Sequence, residues 1–237
     1  MKKLKVKSFE NFKKTNKKNS KAILVTNGKI NDYPALSGIL IKTFGYSNDD
    51  FVIAADGGAG NCINLKIFPD VIIGDMDSIT ASVLSRLNST SKELEFINCS
   101  HDKDQSDTQL ALDYLKSRNF KKVLVAGALG GRFDHSFANI MLLASESYED
   151  MDISIISGSS EIFIVSGPCS IKGTEGKKIS IFSLTPYVYF EKTAGLRYRL
   201  KNEKLFFSPA RGLSNEFIKN TVKLYFENGK LLIVREI

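Results

Sequence analysis

The sequence predicts a two-part architecture: an α/β domain on a mostly parallel sheet, followed by an all-β sandwich or barrel. Three observations carry this expectation. Up to residue 126, short apolar runs (AILVT, FVIAA, VII, LEFI, VLVA) alternate with segments of helical spacing. That is the pattern of parallel strands covered on both faces. After about residue 147, strand-like runs follow one another with little helix between them, and Asn228-Gly229 separates the last two. An Asn-Gly pair accepts positive φ at both positions of a tight primed turn. The resulting division is an extension over 1–21, an α/β domain over 22–148 and a β domain over 149–237.

The elements follow in order. Residues 22–26 read as a strand ending at Asn27-Gly28, and residues 33–43 as a helix. Residues 51–55 form a second strand, which runs into Asp56-Gly57-Gly58. Residues 71–73 form a third, closed by Gly74-Asp75-Met76-Asp77, with a helix over 79–87. Residues 94–97 precede the acidic segment His101 to Asp107 (HDKDQSD), after which Leu110, Ala111, Tyr114 and Leu115 share one helical face. Residues 123–126 close on Gly127 and the GGRFDH turn at 130–135. In the second half, strands are expected at 153–156, 161–165, 179–184, 187–190, 204–207 and 222–234.

Composition narrows the function classes. With 43% hydrophobic and 25% charged residues in 237, the chain reads as an ordinary globular protein. It has no apolar run near 20 residues and no secretory leader, so no membrane association is expected. Nine lysines and one glutamate within residues 1–21 account for the formal charge of +7, leaving 24 basic and 25 acidic residues elsewhere. A basic tail on a nearly neutral body reads as a solvated extension, and nucleic acid is not the expected partner. Three widely spaced cysteines give neither a disulfide framework nor a zinc pattern. A reduced, cytoplasmic setting is expected.

The acidic segments fall where parallel strands end, which is where such sheets bind ligands. Carboxylates gathered there repel one another unless a cation lies between them, and hard divalent ions prefer oxygen. Asp75 and Asp77, two residues apart, suit one Mg²⁺; the competing reading is that Asp77 or Ser78 caps the helix behind them. Asp104 or Ser106 similarly suits the cap of the next helix, whose amides with Lys103 would face phosphate oxygens. Gly130-Gly131 permits close backbone approach and Arg132 offers a planar fork for phosphate. His135 reads as structural. There is no P-loop and no Gly-x-Ser-x-Gly elbow.

The ordered set Ala55-Asp56-Gly57-Gly58, Pro69-Asp70 to Gly74-Asp75-x-Asp77-Ser78, Asp102-x-Asp104-x-x-Asp107 and Gly130-Gly131-Arg132-x-Asp134-His135 resembles thiamine pyrophosphokinases. So do Gly195-Leu196-Arg197-Tyr198 and Ser208-x-x-Arg211-Gly212-Leu213-Ser214-Asn215-Glu216 in the second half. The resemblance covers residues 22–234. It implies transfer of diphosphate from ATP to thiamine with release of AMP, by a homodimer whose sites lie between subunits. Asp75, Asp77 and Asp107 would hold Mg²⁺, with Lys103 and Arg132 also catalytic. Asp56, Gly57, Gly58, Asp104, Ser106, Gly131, Arg132 and Asp134 would bind ATP, and Ser214 and Asn215 thiamine. Ser106 stands where the family usually has threonine, and Arg199 where proline is common. The chain has no tryptophan to stack on the substrate; Tyr198, Phe206, Phe207 or Phe217 would serve instead. A Mg²⁺- or Mn²⁺-dependent phosphohydrolase, a ligand sensor and a nucleic-acid-associated protein are the rival expectations.

Overall fold

The computed structural model describes residues 6–7, 21–47, 49–89, 93–99 and 105–237. Most of the lysine-rich extension, and the site candidates Lys103 and Asp104, lie outside the described residues. The chain forms two compact units, Met1–Gly158 and Ser159–Ile237.

In the first unit the strands are β1 (Val6–Lys7), β2 (Lys21–Val25), β3 (Phe51–Ala55), β4 (Val71–Gly74), β5 (Glu95–Asn98), β6 (Lys122–Ala126) and β7 (Asp152–Ser157). All pair parallel, in the order β1-β5-β4-β3-β2-β6-β7. Helices α1 (Tyr33–Lys42), α2 (Gly58–Leu65), α3 (Ala81–Asn88), α4 (Asp107–Ser117) and α5 (Phe133–Leu143) supply the crossovers that parallel neighbours require. Ile23, Leu24, Ile53, Ile72 and Leu124 are buried on the continuous apolar strands, as expected for a sheet covered on both sides. On α4, Leu110, Ala111, Tyr114 and Leu115 are all buried, the helical face read from spacing. Burying a leucine-sized side chain contributes roughly 1.5–3 kcal/mol, so this face fixes α4 on the sheet.

Several elements depart from the sequence expectation. Asp56-Gly57-Gly58 opens directly into α2, although its two glycines are poor helix formers. Burial of Cys62, Ile63 and Leu65 holds it there. The GGRFDH turn likewise continues into α5. Strand β7, assigned from sequence to the second half, pairs with β6 through Val123 opposite Ile153, so the first unit runs on to Gly158 rather than 148. The crossover from β6 through α5 to β7 is a local connection, whereas an apolar strand alone does not say which sheet it joins. Val6 lies opposite Phe96 and Lys7 opposite Ile97, making part of the extension an edge strand.

The second unit holds two antiparallel sheets. One has the order β8-β15-β10-β13: β8 (Ser160–Val165), β15 (Leu231–Glu236), β10 (Lys178–Ser183) and β13 (Asn215–Glu216). The other has the order β12-β11-β14-β9: β12 (Lys201–Phe206), β11 (Tyr187–Ala194), β14 (Thr221–Glu227) and β9 (Cys169–Lys172). Between them sits a core that includes Ile179, Ile181, Phe190, Phe217, Leu224 and Ile233. Asn228 and Gly229 have φ of 49° and 103°, the positive pair expected of them. The turn nevertheless joins strands of different sheets and not a paired hairpin, because β14 pairs with β11 and β9 while β15 pairs with β8 and β10.

Candidate active site

At the carboxyl ends of the first unit's strands lies a cavity of about 490 Å³. Thr26 and Asn27 reach it from β2, Ala55 from β3, Asp75 from β4 and Cys99 from β5. The start of α4 adds Gln105, Ser106, Asp107 and Thr108, and α5 adds Asp134, His135, Ala138 and Asn139. Of the sequence-predicted residues, Asp75, Ser106, Asp107 and Asp134 therefore share one cavity.

Each is placed by its local chain. After β4, Gly74 takes φ 147° and Met76 φ 69°, which bends the backbone so that the Asp77 amide donates to Asp75 Oδ1 at 3.0 Å. Asp75 is half-buried in the cavity wall, while Asp77 is exposed. Neither Asp77 nor Ser78 caps the following helix: Thr80 does, accepting from the Val83 amide. At α4 the cap is Ser106, which accepts from the Gln109 amide at 3.3 Å and leaves Asp107 in the first turn. A hydroxyl serves this role as well as threonine's would. The positive end of the helix dipole at that first turn attracts anions.

Arg132 and Asp134 form a fork, with Nε to Oδ1 at 3.2 Å and the second contact at 2.5 Å. The guanidinium hydrogen bond holds the Asp134 carboxyl below its usual range and raises Arg132 in turn. Asp134 is thus ionised, and Arg132 is turned towards it. Gly131 takes φ 79° and has no neighbour where a Cβ would stand, so its need is conformational.

Asp56, Gly57 and Gly58 do not line the cavity; they follow its lining residue Ala55 at the end of β3. Asp56 is buried with φ 45°, and its Oδ1 has no hydrogen-bond partner among the described residues. A Cβ on Gly74 would stand 3.0 Å from Asp56 Cβ. A Cβ on Gly58 would meet the Val25 carbonyl at 2.1 Å, and one on Gly57 would meet the Asn27 side chain at 2.5 Å. These glycines let α2 approach β2.

The carboxylates among the lining residues fit a hard cation, which prefers oxygen to the Cys99 thiol and His135 ring that also line the cavity. Among the described residues, no three His, Cys, Asp or Glu side chains converge to hold a metal by themselves. Mg²⁺ is commonly held by one or two carboxylates, with phosphate oxygens and water completing the shell. Asp75 and Asp107 in one cavity fit that mode.

In the second unit, Ser214 is exposed with φ 56°, its amide donating to Ser180 Oγ at 3.0 Å. Asn215 is buried; its Oδ1 accepts from the Tyr198 amide at 3.0 Å and its Nδ2 donates to the Tyr198 carbonyl at 2.7 Å. Its carboxamide therefore fixes the Tyr198 segment. Tyr198, Phe206 and Phe207 are exposed, Phe206 with its ring 6.1 Å from that of Tyr187, whereas Phe217 is core and does not reach a ligand.

Sequence reasoning did not single out Thr26, Asn27, Cys99, Ala138 and Asn139 as cavity residues, and His135, read as structural, lines the cavity as well. The signal for Asn27 was its place at a strand's carboxyl end; for α5, it was the apolar spacing from Phe133 to Leu143.

A carboxylate at a strand end and two more at helix starts, around one cavity at the sheet's carboxyl edge, fit a phosphate-handling α/β domain. A family model described as "Thiamin pyrophosphokinase, catalytic domain" matches residues 45–155, and "Thiamin pyrophosphokinase, vitamin B1 binding domain" matches residues 169–231. The chain belongs to the thiamin pyrophosphokinase family. It is similar to the thiamine pyrophosphokinase of Bacillus subtilis, 27% identical across 90% of this chain and 96% of that one. Thiamine pyrophosphokinase 1 of Oryza sativa is 27% identical, across 73% of this chain and 74% of its own length. A crystal structure of the thiamine pyrophosphokinase from Bacillus subtilis superimposes with a TM-score of 0.79 at 26% identity, covering 91% of this chain and 98% of that one.

Proposed function

We propose that this protein transfers diphosphate from ATP to the hydroxyl of thiamine, giving thiamine diphosphate and AMP. The observation that carries it is the convergence of Asp75, Ser106, Asp107 and Asp134 on one cavity, in a chain whose two halves match the catalytic and vitamin-binding models of one family. The thiamine hydroxyl oxygen bonds to the β-phosphorus of ATP. The bond from that phosphorus to the α-phosphate's bridging oxygen breaks, AMP leaves, and a cavity carboxylate takes the hydroxyl proton. Such transfers need positioning and charge neutralisation more than covalent help.

Asp75 and Asp107, with Asp77 beside them, would hold Mg²⁺, which when bound supplies charge neutralisation on the phosphates. The Ser106 hydroxyl and the amides opening α4 orient a phosphate group. Asp134, kept ionised by Arg132, faces the same cavity, and Lys103 and Arg132 offset charge on the leaving AMP. Asp104 is assigned to the nucleotide. Ser214 and the Asn215-braced Tyr198 segment are assigned to thiamine.

The domain assignment follows the same logic: nucleotide in the α/β unit, vitamin in the β unit. The working form is a homodimer. Phe133, Phe137 and Met141 support that, since they stand 82%, 54% and 48% exposed at four-residue spacing on α5, an apolar stripe suited to a second copy. No described helix is long and apolar enough to cross a membrane. Three free cysteines suit a reduced, cytoplasmic setting.

The test is purified protein with ATP, Mg²⁺ and thiamine, followed chromatographically. AMP and thiamine diphosphate are expected in equal amounts. Inorganic phosphate released without thiamine-dependent AMP would replace this reading with that of a phosphohydrolase.

A further inference from the structure

The cavity is also lined by two uncharged carboxamides, Asn27 and Asn139, on the β2 and α5 side away from Asp75 and Asp107. Strands β3, β4 and β5 step outward on one side of β2, and the chain then returns to place β6 on the other side. The point where strand order reverses, between β2 and β6, is where open α/β sheets form a ligand crevice. Asn27 lies there at the end of β2, and Asn139 faces the same cavity from α5. Asp75, at the end of β4, is two strands away from Asn27, roughly 10 Å at ordinary strand spacing. A ribose and a purine span a distance of that order.

The Asn139 carboxamide and the Asn27 backbone are held in place. The Asn139 amide donates to the Ala128 carbonyl at 2.8 Å, which leaves its oxygen as an acceptor. Asn27 rests against Gly57, where a Cβ would touch all three of its terminal atoms at 2.5 Å. Its backbone is clamped from below by Asn61, a buried residue whose amide donates to the Thr26 carbonyl at 2.7 Å and the Gly28 carbonyl at 2.9 Å. Tyr33 completes the clamp by donating to Asn61 Oδ1 at 2.8 Å. Among the described residues, the Asn27 carboxamide has no hydrogen-bond partner of its own.

Uncharged donor and acceptor pairs match a base or sugar edge rather than a phosphate. Resting on the proposed ATP-dependent reaction, we propose that Asn27 and Asn139 bind the nucleoside end of the triphosphate, with Asn61 and Tyr33 as positioning residues for the Asn27 loop. The phosphates then point towards Asp75 and Asp107.

The experiment compares Asn27→Ala, Asn139→Ala and Tyr33→Phe in the full chain. Losing one neutral hydrogen-bonding pair should raise KM for ATP about tenfold in each asparagine variant, with kcat changed less than about threefold and KM for thiamine unmoved. Tyr33→Phe, which removes only a hydroxyl, should raise KM for ATP about twofold to threefold with the melting temperature nearly retained. Inhibition by adenosine should weaken about tenfold in Asn27→Ala, while inhibition by inorganic tripolyphosphate stays at the parental value. Unchanged adenosine inhibition in both asparagine variants, or weakened tripolyphosphate inhibition instead, overturns the assignment. Failure of the parent protein to form AMP from ATP and thiamine would overturn the reaction itself, a result separable from these.

Discussion

Gly58→Ala is the sharpest test of how α2 is seated against β2. The first residue of α2 sits so close to β2 that an alanine Cβ would lie 2.1 Å from the Val25 carbonyl oxygen, against an ordinary contact beyond 3.4 Å. The obstacle is strand backbone, so relief requires α2 to move away from the sheet. Overpacking of this kind costs about 1–3 kcal/mol, and a rigid carbonyl puts this case at or above the upper end. Alanine returns at most about 1 kcal/mol in helix propensity. The net destabilisation is about 2 kcal/mol, a fall in melting temperature of about 4–8 °C for a chain of this size. Gly57→Ala is the control. Its φ of −58° suits any residue, and its Cβ meets only the movable Asn27 side chain at 2.5 Å. Stability should change by less than about 0.5 kcal/mol, while KM for ATP rises as Asn27 is displaced. Thermal unfolding and steady-state kinetics on both variants decide the matter. Equal melting of Gly58→Ala and the parent, or a Gly57→Ala variant that melts early with ATP binding intact, would refute the distinction between packing and presentation.

Asp75→Ala should abolish measurable turnover with folding retained, since Asp75 is half-buried in the cavity wall; circular dichroism and AMP release measure the two, and activity surviving in this variant removes Asp75 from the site. Asp77→Ala should do the same if the exposed Asp77 acts on the bound ion. Should it act only through its amide on Asp75, activity will survive, because the backbone contact at 3.0 Å remains. For pH, Glu216 is held below its ordinary 4.5 by Lys178 and then Arg197, and Glu236 by the Lys178 amide and then Lys177. Depressed folded values contribute stability that is present above the unfolded values and lost as pH falls through the folded ones, so these two groups predict urea midpoints level at pH 6–8 and declining below about pH 4. A decline on the alkaline side of that window would contradict their sign. Burial pushes the Cys169 thiol up to about 11, and Cys62 and Cys99 are buried. Iodoacetamide at pH 8 should therefore label native protein slowly and all three cysteines once unfolded, as mass spectrometry would read.

What the sequence determined unaided is whatever depends on near neighbours along the chain. Phe51–Ala55 appeared as a strand at its observed bounds because five apolar residues ending in Asp-Gly-Gly leave no other reading. The α4 face was legible from the spacing of Leu110, Ala111, Tyr114 and Leu115. The acidic segments declared themselves because carboxylates after apolar strands are costly without a purpose. The tertiary structure decided which strand joins which sheet: β7 beside β6, and β14 and β15 in different sheets despite their Asn228-Gly229 turn. It also decided that Asp77 and Arg132 do not line the cavity that holds Asp75 and Asp134, and that Asn27 and Asn139 share it. The reason is physical: local pattern fixes φ, ψ and the buried face of an element. Which residues from distant segments meet depends on packing the finished elements together, where a missing Cβ at Gly58 or a buried Asn61 counts for more than any motif.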